Sequence, residues 1–248
     1  MVVTHLMQVL AFVAMEPPTA LEPRAISEEK NKVFRSLLPI HPPSDVVRGQ
    51  YSGYRAEEGV SRESDTETFI ALKVGLDNWR WAGTPPFYLR TGKKMAEGMR
   101  IISIAFKEAP RTMFPQGSGV GSQGPDHLTF DLAESGGRVS LSFYGKRPGG
   151  PGGMRLEKLS LQFSTQDTEH GGDVLEAYER LILDAMRGDH TLFNTAEGIE
   201  SLWERSAPLL EDPPPVKSYP PAPGGAPTRS TSSSPPTRGG CRSSGPGG

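Results

Sequence analysis

Two places in this chain hold side chains suited to moving a proton or holding an anion: His5 and the pair Lys93-Lys94. An imidazole has a pKa near neutrality and can be kept neutral until a proton arrives, so it serves as a general base. By spacing alone His5 shares a helical face with Val9 and Phe12, the pattern of an ordinary helix-start histidine. A lysine ammonium is a compact point charge with three donors, well matched to phosphate oxygens. Lys93 and Lys94 follow Arg90-Thr91-Gly92, and by charge alone they read as a solvated loop pair. The string Gly119-Val120-Gly121-Ser122-Gln123-Gly124 matches a dinucleotide-binding fingerprint, which should follow a strand and open a helix. Phe114-Pro115 precedes it and Pro125 leads on to a strand, so it reads as a glycine loop. The single cysteine, Cys241, cannot form an intrachain disulfide, and no Cys/His cluster has metal-ligand spacing.

The elements that must position these residues follow from hydrophobic periodicity. Leu6, Val9, Leu10, Phe12 and Val13 predict a helix over Thr4 to Met15, stopped by Pro17-Pro18. Ser27 is placed to cap a second helix with Glu28 and Glu29 in its first turn and Val33, Phe34, Leu37 and Leu38 as its apolar stripe. From Thr68 the composition turns to strand formers, with runs over Thr68 to Val74, Ile101 to Phe106, Leu128 to Leu132, Val139 to Tyr144 and Leu156 to Phe163. Gly136-Gly137 and Pro148 to Gly153 favour antiparallel connections. Helices are predicted over Val174 to Met186, ending at Gly188, and over Ala196 to Ser206. The order implies an α+β domain over residues 1–212, a large, mostly antiparallel sheet with helices packed on one face. The other face then needs a partner, so self-association is expected. Residues 213–248 are rich in Pro, Gly, Ser and Thr and predict a disordered tail.

Composition narrows the class. With 23% charged and 35% hydrophobic residues the chain suits a soluble globular protein. Leu6 to Met15 is too short to span a bilayer, lacks a basic flank and meets no small-residue cleavage site, so neither membrane insertion nor secretion is expected and the cytoplasm is the default. The whole chain carries a charge of −2, while Lys217, Arg229, Arg238 and Arg242 make the tail basic. With only Tyr219 for stacking, the tail does not predict nucleic-acid binding.

Longer motifs carry a resemblance. Asp77-Asn78-Trp79-Arg80-Trp81-Ala82-Gly83, continuing through Pro86-Phe87-Tyr88-Leu89-Arg90-Thr91-Gly92-Lys93-Lys94, resembles the signature of glucose-6-phosphate dehydrogenases. Thr4-His5-Leu6-Met7-Gln8, Ala14-Met15-Glu16-Pro17 and Val47-Arg48-Gly49-Gln50-Tyr51 extend it, to about Leu210. The resemblance implies the C-terminal domain of an NADP-dependent enzyme that oxidises glucose 6-phosphate to the lactone in the pentose phosphate pathway. It implies that His5 is the base taking the proton of the sugar C1 hydroxyl, that Lys93 reaches the sugar phosphate, and that the sheet supplies a homo-oligomer contact. Asp77, Trp79, Arg80, Trp81 and Arg90 are assigned to folding. The sequence departs from the family at Thr4, where relatives carry asparagine, at Gly98 and Ala133, where they carry further substrate contacts, and at Met99 and Asp131, where a structural coenzyme site needs basic residues. Arg100 is the nearest basic residue to Gly98.

The Rossmann half, with the Arg-Ile-Asp-His-Tyr-Leu-Gly-Lys segment that orients the histidine and holds the phosphate, has no counterpart in this sequence. The expectation is a chain inactive alone, binding no NADP and little glucose 6-phosphate. A non-catalytic module that pairs with an intact dehydrogenase is the alternative. Ser230 to Gly247, re-read one base out of frame with suitable synonymous codons, gives Asp-Glu-Leu-Ile-Ala-Pro-His-Ala-Trp-Arg-Leu-Pro-Phe-Glu-Arg-Ala-Trp, similar to the family ending. The tail is therefore expected to be a frameshift product.

Overall fold

The computed structural model describes residues 1–108, 111, 113–114, 118–120, 124–132, 137–148, 155–164, 177–222 and 232–233. The chain opens on a π-helical turn, Val2–Leu6, that runs into α1, Met7–Ala14. Val3, Leu6, Met7, Leu10, Ala11 and Ala14 face inward, whereas Phe12 is 46% exposed. The buried stripe is thus rotated from the expected one. The wide turn at the start accounts for part of this, because five-residue hydrogen bonding advances each side chain less around the axis than 3.6-residue geometry does.

The second helix, α2, spans Pro23–Arg35. It begins one turn before the Ser27 cap expected from sequence, because Pro23 with its fixed φ starts a helix without needing a hydrogen-bonded N–H. A short α3, Pro42–Asp45, leads into β1, Val46–Tyr51. Then follow β2 (Phe69–Val74), β3 (Phe87–Gly92), β4 (Ile101–Ala105), β5 (His127–Asp131), β6 (Arg138–Lys146) and β7 (Leu156–Ser164). The helices α4 (Ala177–Arg187), α5 (Ala196–Ser206) and α6 (Pro208–Glu211) precede β8, Val216–Tyr219, and a two-residue β9, Ser232–Ser233.

The nine strands form one sheet in the order β7-β6-β5-β4-β9-β3-β2-β1-β8. It is antiparallel except where β8 runs parallel to β1 and β9 runs parallel to β4. The expected α+β fold with a large, mostly antiparallel sheet is what the chain forms. The core lies where α1, α2 and α5 cover β1 to β3, and there Ile70, Leu72, Val74 and Leu89 meet Leu10, Val33, Phe34 and Leu202. At the other end, Leu159, Leu161 and Phe163 alternate along β7 at 39%, 50% and 64% exposure.

Three expectations need correction. Disorder from residue 213 onward does not hold for residues 216–222, because Arg48 to Tyr51 of β1 supply a free ladder edge that Val216 to Tyr219 take up in register. Of the two tryptophans assigned to folding, Trp79 is 97% exposed and packs little, whereas Trp81 packs as expected, its indole N–H donating to Ala14 C=O at 2.9 Å and its ring lying edge-on to Phe87. The strands β1, β3 and β8 are additions to the predicted set. Cys241, Ala133 and most of the tail lie outside the described residues.

Candidate functional site

The π-helical turn and the end of β3 meet around a cavity of about 260 Å³, lined by Met1 and Val2 on one side and Glu67, Thr91, Gly92 and Lys93 on the other. Lys93 follows the last residue of β3, so the sheet fixes its backbone while its side chain stays exposed. Its N–H donates to Thr68 C=O at 2.8 Å, and its own C=O accepts from the Tyr219 hydroxyl at 2.8 Å. Glu67 is engaged by Arg48 at 2.8 Å, which neutralises the carboxylate and leaves Lys93 to set the sign of this wall.

The lysine pair divides its work. Lys94 takes a left-handed backbone, φ 53°, which turns its ammonium away from Lys93 and onto Glu57 at 2.5 Å, 4.2 Å from the centre of the Tyr51 ring. The Tyr51 hydroxyl donates to the same carboxylate at 2.6 Å. These hydrogen bonds from Lys94 and then Tyr51 hold Glu57 below the usual carboxylate range. The Glu57 bond raises the pKa of Lys94, and burial, followed by Glu57, raises that of Tyr51. Lys94 is therefore a structural tie, whereas Lys93, among the described residues, makes no ion pair and acts on Glu57 only as a more distant charge.

His5 sits in the π-helical turn, exposed, with its N–H donating to Met1 C=O at 3.0 Å. The turn carries Met1 and Val2 into the cavity wall, and His5 lies beyond them on the outer face shared with Phe12. Thr4 Oγ1 is 2.8 Å from His5 Nδ1. The threonine that replaces asparagine thus supplies a hydrogen bond to the ring itself, which sequence reasoning did not anticipate. The direction of this bond follows the tautomer: Nδ1–H donating to Thr4 leaves the lone pair on Nε2, whereas the threonine hydroxyl donating to Nδ1 leaves the proton on Nε2. Arg100 is exposed at the entry to β4 and does not line the cavity.

The glycine string forms no phosphate cradle in the part described. Gly119 and Gly124 have φ of 98° and 79°, and Gly124 leads through Pro125 to β5, not to a helix. The carbonyl of Gly124 accepts from the Tyr144 hydroxyl at 2.8 Å, so this backbone serves the sheet. The contribution that sequence reading missed altogether is Tyr219, whose side chain reaches the Lys93 turn from β8; no local pattern signals a contact 126 residues away.

Comparison with known proteins bears on this geometry. Residues 1–232 match the family described as glucose-6-phosphate dehydrogenase, C-terminal domain. The glucose-6-phosphate 1-dehydrogenase of Rhizobium meliloti (strain 1021) is 42% identical over 224 residues, covering 85% of this chain and 44% of that protein. That of Mycolicibacterium smegmatis is 39% identical over 223 residues, covering 85% and 43%. The crystal structure of glucose-6-phosphate 1-dehydrogenase from Mycobacterium avium superposes with a TM-score of 0.77 at 31% identity, over 91% of this chain and 46% of that one. A glucose-6-phosphate dehydrogenase in complex with its substrate glucose-6-phosphate gives 0.78 at 29% identity, over 90% and 47%. The chain spans less than half the length of these relatives. With a family match over nearly its whole length and the same fold, the chain belongs to the glucose-6-phosphate dehydrogenase C-terminal domain family.

Proposed function

We propose that this chain is the substrate-binding and oligomerisation half of a glucose-6-phosphate dehydrogenase, whose intact form oxidises glucose 6-phosphate to 6-phosphogluconolactone with NADP in the pentose phosphate pathway. The observation that carries this reading is the cavity where Lys93 meets Met1 and Val2, at the start of the turn in which His5 follows. A sugar phosphate seated there would place its anion at the Lys93 ammonium, a charge-assisted contact worth about 1.5–3 kcal/mol. His5, hydrogen-bonded to Thr4 and outside the lining of that cavity, would take the proton of the sugar hydroxyl from a substrate that extends beyond it. The described residues of the glycine loop lead through Pro125 into β5 and open no helix, so they supply no helix N-terminus for a pyrophosphate. NADP belongs to the part of the enzyme that this chain does not span.

Assembly is supported by the alternating apolar row of β7, which continues across Val139, Leu141 and Phe143 of β6 through the antiparallel register. A homo-oligomer covering that face is the expected state. The same face favours the second reading, a module that pairs with an intact dehydrogenase without catalysing anything, and co-purification with such an enzyme is its measurement. No helix of the described residues is long and apolar enough to cross a membrane. We assign the protein to the cytoplasm, with no nucleic acid as partner.

The test joins this chain to the N-terminal half of the Rhizobium meliloti relative. NADP reduction with glucose 6-phosphate should appear in the joined enzyme, be absent from the isolated chain and fall at least a hundredfold with His5→Gln. Reduction by the pure isolated chain, or an unimpaired His5→Gln enzyme, would sink the proposal.

A further inference from the structure

We infer that Tyr219 is a positioning residue for Lys93, and that segment 216–222 clamps the phosphate-binding turn from the far edge of the sheet. The inference rests on the reading of Lys93 as the phosphate contact. Lys93 lies just past the end of β3, where the β2–β3 ladder stops at Phe69 and Gly92. One side of its backbone is held by Thr68 C=O. The other would be loose, but β8 runs parallel to β1 and brings the Tyr219 hydroxyl to within 2.8 Å of Lys93 C=O. Three residues on, the N–H of Ala222 donates to Lys94 C=O at 3.0 Å. Consecutive carbonyls of the lysine turn are therefore both accepted into bonds from the C-terminal segment.

The phenol is itself fixed. Thr68 Oγ1 lies 2.9 Å from the Tyr219 hydroxyl and accepts from Tyr51 N–H at 2.9 Å, so the one consistent arrangement has Tyr51 N–H donating to Thr68, Thr68 to Tyr219, and Tyr219 to Lys93. The ring packs edge-on to Phe69 and Tyr51. It fits because position 49 is glycine: a Cβ there would stand 3.1 Å from Tyr219 Cδ1. The short bond of the hydroxyl goes to Lys93 C=O, the carbonyl of the cation at the cavity, with Thr68 C=O a second, longer acceptor at 3.4 Å. A lysine whose backbone wanders loses part of its binding energy to ordering on each encounter with ligand.

The experiment titrates glucose 6-phosphate at millimolar concentration into the 248-residue chain, following its lysine and carbonyl resonances by NMR. Tyr219→Phe keeps the ring packing and removes only the hydroxyl. It should weaken binding roughly threefold to tenfold and shift the Lys93 carbonyl resonance. Lys93→Ala should lose at least about tenfold. In the Lys93→Ala background Tyr219→Phe should add nothing, because its effect runs through Lys93. If Lys93→Ala loses binding while Tyr219→Phe binds like the parent, or weakens binding equally without Lys93, the clamp is wrong and the reading of Lys93 stands. If Lys93→Ala binds like the parent, or if the parent does not bind and Lys93→Ala leaves the KM of the joined enzyme for glucose 6-phosphate unchanged, the reading of Lys93 falls and the clamp with it.

Discussion

Thr68→Val is the sharpest probe of how this site is built. Along β1 and β2 the ladder ends at Gly49 and Phe69, yet Tyr51 N–H remains buried, and the Thr68 hydroxyl takes the place of a missing strand acceptor at 2.9 Å. Valine matches threonine in shape and removes the oxygen, so the N–H is orphaned, at a cost of about 1–3 kcal/mol. The bond from Thr68 to Tyr219 is lost as well, about 1 kcal/mol. The gain from a buried methyl in place of a hydroxyl is under about 1 kcal/mol, which leaves a net loss of about 1–4 kcal/mol. Thr68→Ser keeps the oxygen and drops one methyl, for about 1 kcal/mol or less. Urea unfolding of the three proteins, followed by circular dichroism with a common m-value, reads the difference directly. Equal losses for valine and serine would refute the reasoning, since packing and not the hydroxyl would then be what the site needs.

Other predictions test the frame around the site. Leu202 is 0% exposed at the junction of α5 with α1 and α2, so Leu202→Ala should cost about 3–4 kcal/mol in urea unfolding, while Ile199→Ala on the outer face should cost under about 1 kcal/mol. Lys30 is 5% exposed, with its ammonium 2.7 Å from Asn194 Oδ1 and 4.5 Å from the centre of the Phe12 ring, and burial lowers its pKa from 10.5. The unfolded chain then binds that proton more tightly. Stability should rise with pH from the lowered value up to 10.5, and Lys30→Met should remove this slope, as read from unfolding midpoints across the alkaline range. For Glu57 the slope has the same sign but lies in the acid range. Held below its ordinary 4.5 first by Lys94 and then by Tyr51, it contributes stability above that pH and loses it as pH falls through the folded value. Glu57→Gln should flatten the acid limb of the thermal midpoint, and an unchanged limb would rule the cluster out as its source.

Much of the architecture was legible because it is periodic. The α5 span, the strands from β4 to β7 and the stop at Gly188, φ 71°, each rest on local chemistry that a window of residues contains. The elements that were not legible, β1, β3 and β8, are strands whose neighbours come from distant sequence. β1 and β3 were hidden inside motifs read for their side chains, and β8 inside a stretch read by its composition. Composition argued correctly that residues 213–222 bury little, yet an open strand edge pairs with backbone and needs few apolar side chains.

The candidate residues divide in the same way. By itself the sequence singled out His5 and Lys93 as candidates, through their types and the motifs around them, and read the glycine string as a loop, through what flanks it. Only the tertiary structure decided which lysine of the pair is committed elsewhere, because Glu57 and Tyr51 reach Lys94 across a turn and no spacing rule encodes that choice. It alone decided that Thr4 can orient the His5 ring, and that Tyr219, from the last strand edge, holds the Lys93 carbonyl. Side-chain identity is a local property of the chain, whereas the distance between two polar atoms is fixed by how the sheet brings remote strands together.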